Sequence, residues 1–365
     1  MTSEQSEAWE MQQSGMTRRQ IADHLKISES AVKRRLEKAR KWMRADSAAR
    51  EAATVARSGE IPHSFWLKTD THSIYYKTPQ DDTKADILAD IADAFKDIPA
   101  YRPNPRLPIG NDLMTVYPLM DAHFGMRAWG RETGSQDYDL DLATRDICQA
   151  FTDIWEVTPS SDHAVLILGG DTLHADDNLA QTPQSKHSLD VDGRQYKASE
   201  VAIRAICFVI DGLAERHYKV TVRVLRGNHD PNAHLILHFA LQQRYRLAEM
   251  VDIEDAARDL YWIRHGGSLI AAHHGDKGKP ERLAMFLADT CPEWSLTRDR
   301  HVMTGHIHHD STKDFPGVKW WSLRAFCPPD EYGAPFGGRR ALQALTFCGK
   351  KGLRVHGVEG IYRER

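Results

Sequence analysis

AVLILGGDTLH, residues 164–174, sets the reading of everything around it. A short apolar run of strand length, Ala164–Leu168, stops at Gly169-Gly170 and gives way to Asp171, Thr172, Leu173 and His174. Four further runs end in the same manner. Thr115–Met120 leads into Asp121-Ala122-His123-Phe124-Gly125, and Val220–Leu225 into Gly227-Asn228-His229-Asp230. Ser268–Ala272 leads into His273-His274-Gly275-Asp276, and His301–Thr304 into Gly305-His306-Ile307-His308-His309. Helical patterns near 141–156, 196–217, 233–248 and 280–290 lie between or beside these runs. Alternation of this kind predicts an α/β domain, a class that binds ligands just beyond its strand ends.

Each predicted strand therefore ends in groups able to hold a metal. A D-x-H or H-x-H spacing turns both side chains to one side of an extended segment, and the neighbouring glycines let the backbone turn tightly there. Imidazole, carboxylate and one Asn amide oxygen make a mixed nitrogen and oxygen donor set, which suits manganese, iron or zinc better than a thiolate set would. One ligand set per motif gives about seven groups, enough for two ions sharing a bridge, about 3.5–4 Å apart, that ionise a water and clamp phosphate oxygens.

Bulk properties bound the possibilities. A chain of 365 residues, 41% hydrophobic, has room for two domains and a sizeable core. No apolar run reaches the roughly 18 residues of a membrane span, and the polar, acidic start MTSEQSEAWEMQQSG is unlike a signal peptide. The five cysteines, Cys148, Cys207, Cys291, Cys327 and Cys348, are scattered without a CxxC pair. That pattern excludes a disulfide framework and a zinc ribbon and makes a reducing cytoplasm the expected location. Between Gly15 and Ala45 there are ten Lys or Arg and three acids, a net of +7; as the whole chain carries -3, the rest carries -10. A basic module on an acidic body suggests a nucleic-acid partner, with no membrane role. The sequence leaves self-association open.

The basic stretch lies in residues 9–44, which read as short helices. Ile21 and Leu25 share one helical face, Val32 and Leu36 another, Ser28 suits the N-cap of the second helix, and Ala22 is small where two helices would cross. The segment resembles a helix-turn-helix, with Lys26 where the turn often holds Gly. Such a module would offer Arg18, Arg19, Ser30, Lys33, Arg34 and Lys38 to DNA; the alternative is a charged helical hairpin that docks on protein. The expected organisation is a helix-turn-helix module over 1–50, a linker over 51–110 and an α/β domain over 111–365. Within the linker, strands flanking Thr69-Asp70-Thr71-His72 predict a β-hairpin, residues 79–97 a helix and 101–108 an extended connector.

The five motifs, in the order D-x-H, G-D, G-N-H-D, H and G-H-x-H, resemble the calcineurin-like metallophosphoesterase superfamily over about residues 113–325. The resemblance implies a four-layer sandwich, two β-sheets flanked by helices. It implies two divalent metal ions, manganese foremost, with iron, zinc, nickel or magnesium as other candidates. Asp121, His123 and His308 would hold the first ion, Asp171 would bridge, and Asn228, His306 and a fourth-motif histidine would hold the second. His273 fits the family's H-x-G order, and His274, directly before Gly275, is the alternative. His229 would protonate the leaving oxygen, oriented and charged by Asp230.

Local text at Asp121–Gly125, Gly169–His174 and Gly227–Pro231 is similar to the double-strand-break repair nucleases of that superfamily, which implies phosphodiester hydrolysis in DNA. In that branch His174 would stand at the site edge and orient DNA or ligands; otherwise it supports the core. No long coiled-coil-binding tail is visible after about residue 330. Lys277, Lys279 and Arg282 are either phosphate contacts or a solvated loop. Pro328–Arg340 is either a loop that brings Arg339 and Arg340 to substrate or a connector. Trp320 and Trp321 read as core, and His187, His234, His238 and His301 as structural. Three functions compete: a DNA nuclease, a phosphatase or phosphodiesterase for a small molecule or phosphoprotein, and a non-enzymatic DNA-binding regulator.

Overall fold

The structure is a computed structural model that describes residues 3–40, 64–68, 73–77, 101, 107–255, 257–336 and 338–362. The chain divides into two units, Met1–Asp90 and Ile91–Arg365.

In the first unit, helices α1 (Ser3–Gln13) and α2 (Arg18–Leu25) are followed by α3, helical over 29–40. Sequence patterning located α2 and α3 and began the helical region at residue 9, inside α1. Ala8, Ile21, Ala22, Val32 and Leu36 form the core, with Trp9, Met16, Leu25 and Ile27 against it. Thr17 closes a capping box with Gln20 at the head of α2, and Ser28 Oγ accepts from Ala31 N at 3.2 Å at the head of α3. Lys26 takes the left-handed conformation at φ 53° and its N–H bonds Ala22 O, so it fills the role of the usual turn glycine. Arg18, Arg19, Ser30, Lys33, Arg34 and Lys38 are all exposed. The predicted hairpin is present as β1 (Ser64–Lys68) and β2 (Ser73–Lys77), antiparallel from Ser64↔Lys77 to Lys68↔Ser73. Its turn, the linker over 45–60, the helix over 79–97 and most of the 101–108 connector lie outside the described residues.

The second unit has two sheets. In the first, β3 (Leu113–Leu119), β4 (His163–Gly169), β5 (Lys219–Leu225) and β6 (Val251–Ile253) run parallel, and β12 (Ala341–Cys348) and β13 (Gly352–Gly360) extend it antiparallel beside β3. The second has the order β10 (Ser311–Phe315), β11 (Val318–Ser322), β9 (Asp299–Thr304), β8 (Ser268–His273) and β7 (Tyr261–His265). Side-chain parity assigns the faces. Met114, Val116, Val165 and Ile167 meet Ile270, Ala272, Met303 and Trp321 between the sheets. Tyr117, Leu119, Leu166, Leu168 and Val222 pack instead on α4 (Leu140–Val157), α5 (Gln195–Arg216) and α6 (His234–Tyr245). On the far side, Leu269, Ala271 and Val302 pack on Leu283, Ala284 and Leu287 of α7 (Pro280–Thr290). The order is thus helices, sheet, sheet, helix: the expected α/β sandwich of two sheets flanked by helices. Strands buried on both faces explain the apolar runs read in the sequence. Trp321 is 3% exposed in this core, as read. Among the described residues no helix is long and apolar enough to cross a membrane.

Candidate metal centre

The loops that leave β3, β4, β5, β8 and β9 converge. Five of the nine non-glycine residues with positive φ among the described ones are Asp121, His123, Asp171, His306 and His308. That conformation costs about 1–3 kcal/mol per residue and persists only where its surroundings impose it. Glycines make room for the convergence. A Cβ on Gly227 would lie 1.9 Å from Asp171 Oδ1, and one on Gly305 2.4 Å from Asp121 Oδ2.

Asp171 lies at the centre. Its Oδ1 accepts from His229 N at 2.7 Å, while its Oδ2 lies 3.2 Å from His274 Nε2 and 3.9 Å from His123 Nε2. Asp121 accepts from His306 N with both oxygens, at 3.2 and 3.0 Å, and its Oδ1 is 3.4 Å from His308 Nε2. Asn228 Oδ1 is 3.0 Å from His274 Nε2, and His274 Nδ1 donates to Gly169 O at 3.0 Å, which aims Nε2 at the cluster. Two groups of donor atoms, each within 4.8 Å, share Asp171: one with Asp121 and His123, the other with His274 and His306.

These residues fit divalent cations. His123 is 3% exposed, its Nδ1 pairs with His174 Nδ1 at 2.9 Å, and its Nε2 is buried with no hydrogen-bond partner among the described residues. A buried nitrogen facing two buried carboxylates needs a compensating group, and a cation supplies one. Burial and the nearby His229 hold His123 well below the usual histidine range, keeping the ring neutral as a ligand must be. Burial opposes charge on His274, yet the Asp171 and Asp121 carboxylates outweigh it and raise this histidine to about 10.

Several expectations are corrected. His274, not His273, stands at the cluster. Along β8, Ile270 and Ala272 face the sheet–sheet core and His274 continues their parity, whereas His273 follows Leu269 and Ala271 to the α7 side. There it lines a separate cavity with Trp262 and Leu283, and its Nδ1 accepts from Gly275 N. Asp230 does not orient His229: its carboxylate accepts from the backbone N–H groups of Gly227, Leu173 and Asp171, tying two loops together. Burial and the Asp171 charge push it up to about 7. His229 is oriented by the His174 carbonyl, to which its Nδ1 donates at 2.9 Å. His174 itself is 1% exposed, packed against the rings of His123 and His229. Arg340 is buried, bonded to Asp146 Oδ2 at 2.5 Å, Gln136 Oε1 at 2.7 Å and Phe326 O at 2.8 Å, and is a core residue. Lys277 pairs with Asp259 at 3.0 Å beside the His273 cavity, away from the cluster.

A cavity of about 580 Å³ opens over the cluster, lined by His123, Asp171, Asn228, His229, His306 and His308. Its outer walls come from residues within 182–189, 325–333 and 338–339. Of the stretch read as a loop or connector, Pro328–Arg340, residues 328–333, 338 and 339 line this cavity, with Arg339 exposed at the rim and Arg340 turned into the core. His187, read as structural, lines the cavity too, stacked on Tyr332 with ring centroids 5.9 Å apart. Cys327, which the sequence did not single out, is buried within 4.8 Å of the ligand nitrogens of His123 and His308.

No family model and no curated protein matches the chain. Solved structures do. The YfcE phosphoesterase of E. coli is 11% identical, over 68% of this chain and all of the other, at a TM-score of 0.34. An archaeal phosphodiesterase is 13% identical over 67% of this chain and 99% of the other, at 0.34. Vps29 of Entamoeba histolytica with zinc is 11% identical over 68% and 100%, at 0.28. At these scores the likeness carries no weight, and fold and site rest on this chain's own sheets and side chains.

Proposed function

We propose that the chain is a two-metal-dependent phosphodiesterase of the calcineurin-like kind, with Asp121, His123 and His308 on one ion, Asn228, His274 and His306 on the other, and Asp171 between them. The observation that carries this is the pair of donor groups sharing Asp171, with the partnerless Nε2 of buried His123 facing its carboxylates. When bound there, divalent ions, manganese foremost, would supply the Lewis acidity to ionise water and hold phosphate oxygens. The chain's own residues do the rest. His229 Nδ1 is held by the His174 carbonyl, which leaves Nε2 as the atom that gives its proton to the departing oxygen. Asp230, by clamping Gly227, Leu173 and Asp171, fixes the loop from which His229 projects.

DNA is the substrate we favour, because α2 and α3 expose Arg18, Arg19, Lys33, Arg34 and Lys38 from a capped helical module. A small phosphodiester is the second reading. What favours it is the cavity: Arg339 is its sole Lys or Arg among the described residues, against Asp330 and Glu331 on the same wall. The test is hydrolysis with manganese of single-stranded DNA, double-stranded DNA, bis-p-nitrophenyl phosphate and p-nitrophenyl phosphate. DNA cleavage supports the nuclease reading. Turnover of the diester alone moves the assignment to small substrates, and no turnover of any ester removes the hydrolase. If the arm holds DNA, replacing Lys33 and Arg34 by Ala lowers the salt slope of DNA binding by about one for every phosphate no longer neutralised; an unchanged slope takes that role from the arm.

A further inference from the structure

We propose that Cys327 is a sulfur ligand of this centre, binding the ion held by His123 and His308, so that this half of the site takes a thiophilic dication such as zinc or cobalt in preference to magnesium. The proposal rests on the metal-centre reading above and goes beyond it, because the donors identified from the motifs are all nitrogen or oxygen. Four observations support it. The Cys327 sulfur and the ligand nitrogens of His123 and His308 lie within 4.8 Å of one another, close enough to share one ion. Cys327 is 3% exposed and makes no side-chain hydrogen bond among the described residues, so its sulfur is committed to no other contact of that kind.

Its position is also fixed by the ligand loop itself. Cys327 N donates to Asp121 O at 3.1 Å, Phe326 N donates to Met120 O at 2.9 Å, and two prolines follow, Pro328 and Pro329. The chain carrying the sulfur is thus laced to the chain carrying Asp121 and His123. Finally, His123, which shares that group with the sulfur, has its Nε2 buried with no hydrogen-bond partner among the described residues, a state that a bound cation would relieve. The chemistry balances without a redox partner: a metal–sulfur bond forms, the S–H bond breaks, and the proton leaves to solvent. Soft sulfur ligands favour zinc and similar ions, whereas magnesium keeps to oxygen.

The experiment is a cobalt(II) titration of the full chain, wild type and Cys327→Ser, followed by absorption. The wild type is expected to show both visible d–d bands and a near-ultraviolet sulfur-to-cobalt charge-transfer band. Cys327→Ser is expected to keep the first and lose the second, with zinc affinity down about tenfold or more and magnesium affinity held. Cys348→Ser should retain both bands. Wild-type d–d bands without charge transfer would overturn the sulfur ligand and leave the metal centre standing, as would a charge-transfer band that survives in Cys327→Ser. Failure to bind cobalt at all would overturn both. Should Cys327→Ser not fold, the wild-type spectrum and Cys327→Ala decide the matter.

Discussion

The two ends of the six-stranded sheet both bury histidines, and they bury them in opposite ways. Where the parallel strands begin, His217 is fully buried with both nitrogens satisfied, Nε2 3.1 Å from Tyr117 OH and Nδ1 2.7 Å from Ser161 Oγ. His163 at the same end pairs Nε2 with Thr221 Oγ1 at 2.8 Å. Where the strands finish, His123 leaves Nε2 without a hydrogen-bond partner among the described residues, and His274 and His308, brought there by β8 and β9 of the second sheet, face carboxylates. Satisfied imidazoles hold a fold together. Imidazoles that converge on buried carboxylates, His123 and His308 among them on backbone held at positive φ, suit the binding of a cation.

That contrast can be broken by measurement. The largest effect belongs to the finishing end. His229→Ala should lower kcat by about 10²–10⁴-fold, the usual worth of a general acid, while metal content by elemental analysis stays at the wild-type level. Loss of metal instead would make His229 a ligand. At the beginning end, burial and the neighbouring Lys219 hold His163 down at about 4. A histidine whose folded value lies below its unfolded one loses stability as pH falls from about 6.5 through about 4, because the unfolded chain takes up the proton first. Urea unfolding at pH 7 and pH 4.5 should show a loss in the wild type that is smaller by up to about 3 kcal/mol in His163→Gln, the other histidines held low contributing alike to both; equal losses in both would refute it. The smallest effect is His217→Phe. It takes from Ser161 N its side-chain acceptor, while Tyr117 OH keeps Thr158 and Ser161 Oγ keeps the His163 carbonyl, and it should cost about 1–3 kcal/mol of stability with turnover unchanged. A fall in turnover in the folded variant would show that the two ends are not independent.

The sequence disclosed the finishing end better than the rest of the molecule, for physical reasons. Strands β3, β4, β5, β8 and β9 and helices α4 to α7 were legible because burial on both faces, or on one helical stripe, writes a strong apolar pattern. Strand β10 (STKDF) is mostly exposed and left no such pattern, and the three-residue β6 was too short to register. Motif spacing brought Asp121, His123, Asp171, Asn228, His306 and His308 to one place. It did not separate His273 from His274, although strand parity, counted from Ile270 and Ala272, would have done so. Asp230 and Arg340 were read as site groups because polarity alone does not say which way a side chain turns. Their partners, Gly227 N and Asp146, are fixed only by tertiary packing. Cys327 and His187 carried no signal at all, since a lone cysteine or histidine gains meaning only from its neighbours in space.

The central claim is that the strand ends form a two-ion centre bridged by Asp171. Elemental analysis of the chain after equilibration with manganese and removal of free metal tests it most directly. The account predicts two ions per chain in the wild type, two in His217→Phe and fewer than one in Asp171→Ala. A wild type that retains no metal, or an Asp171→Ala variant that retains two ions, would contradict it.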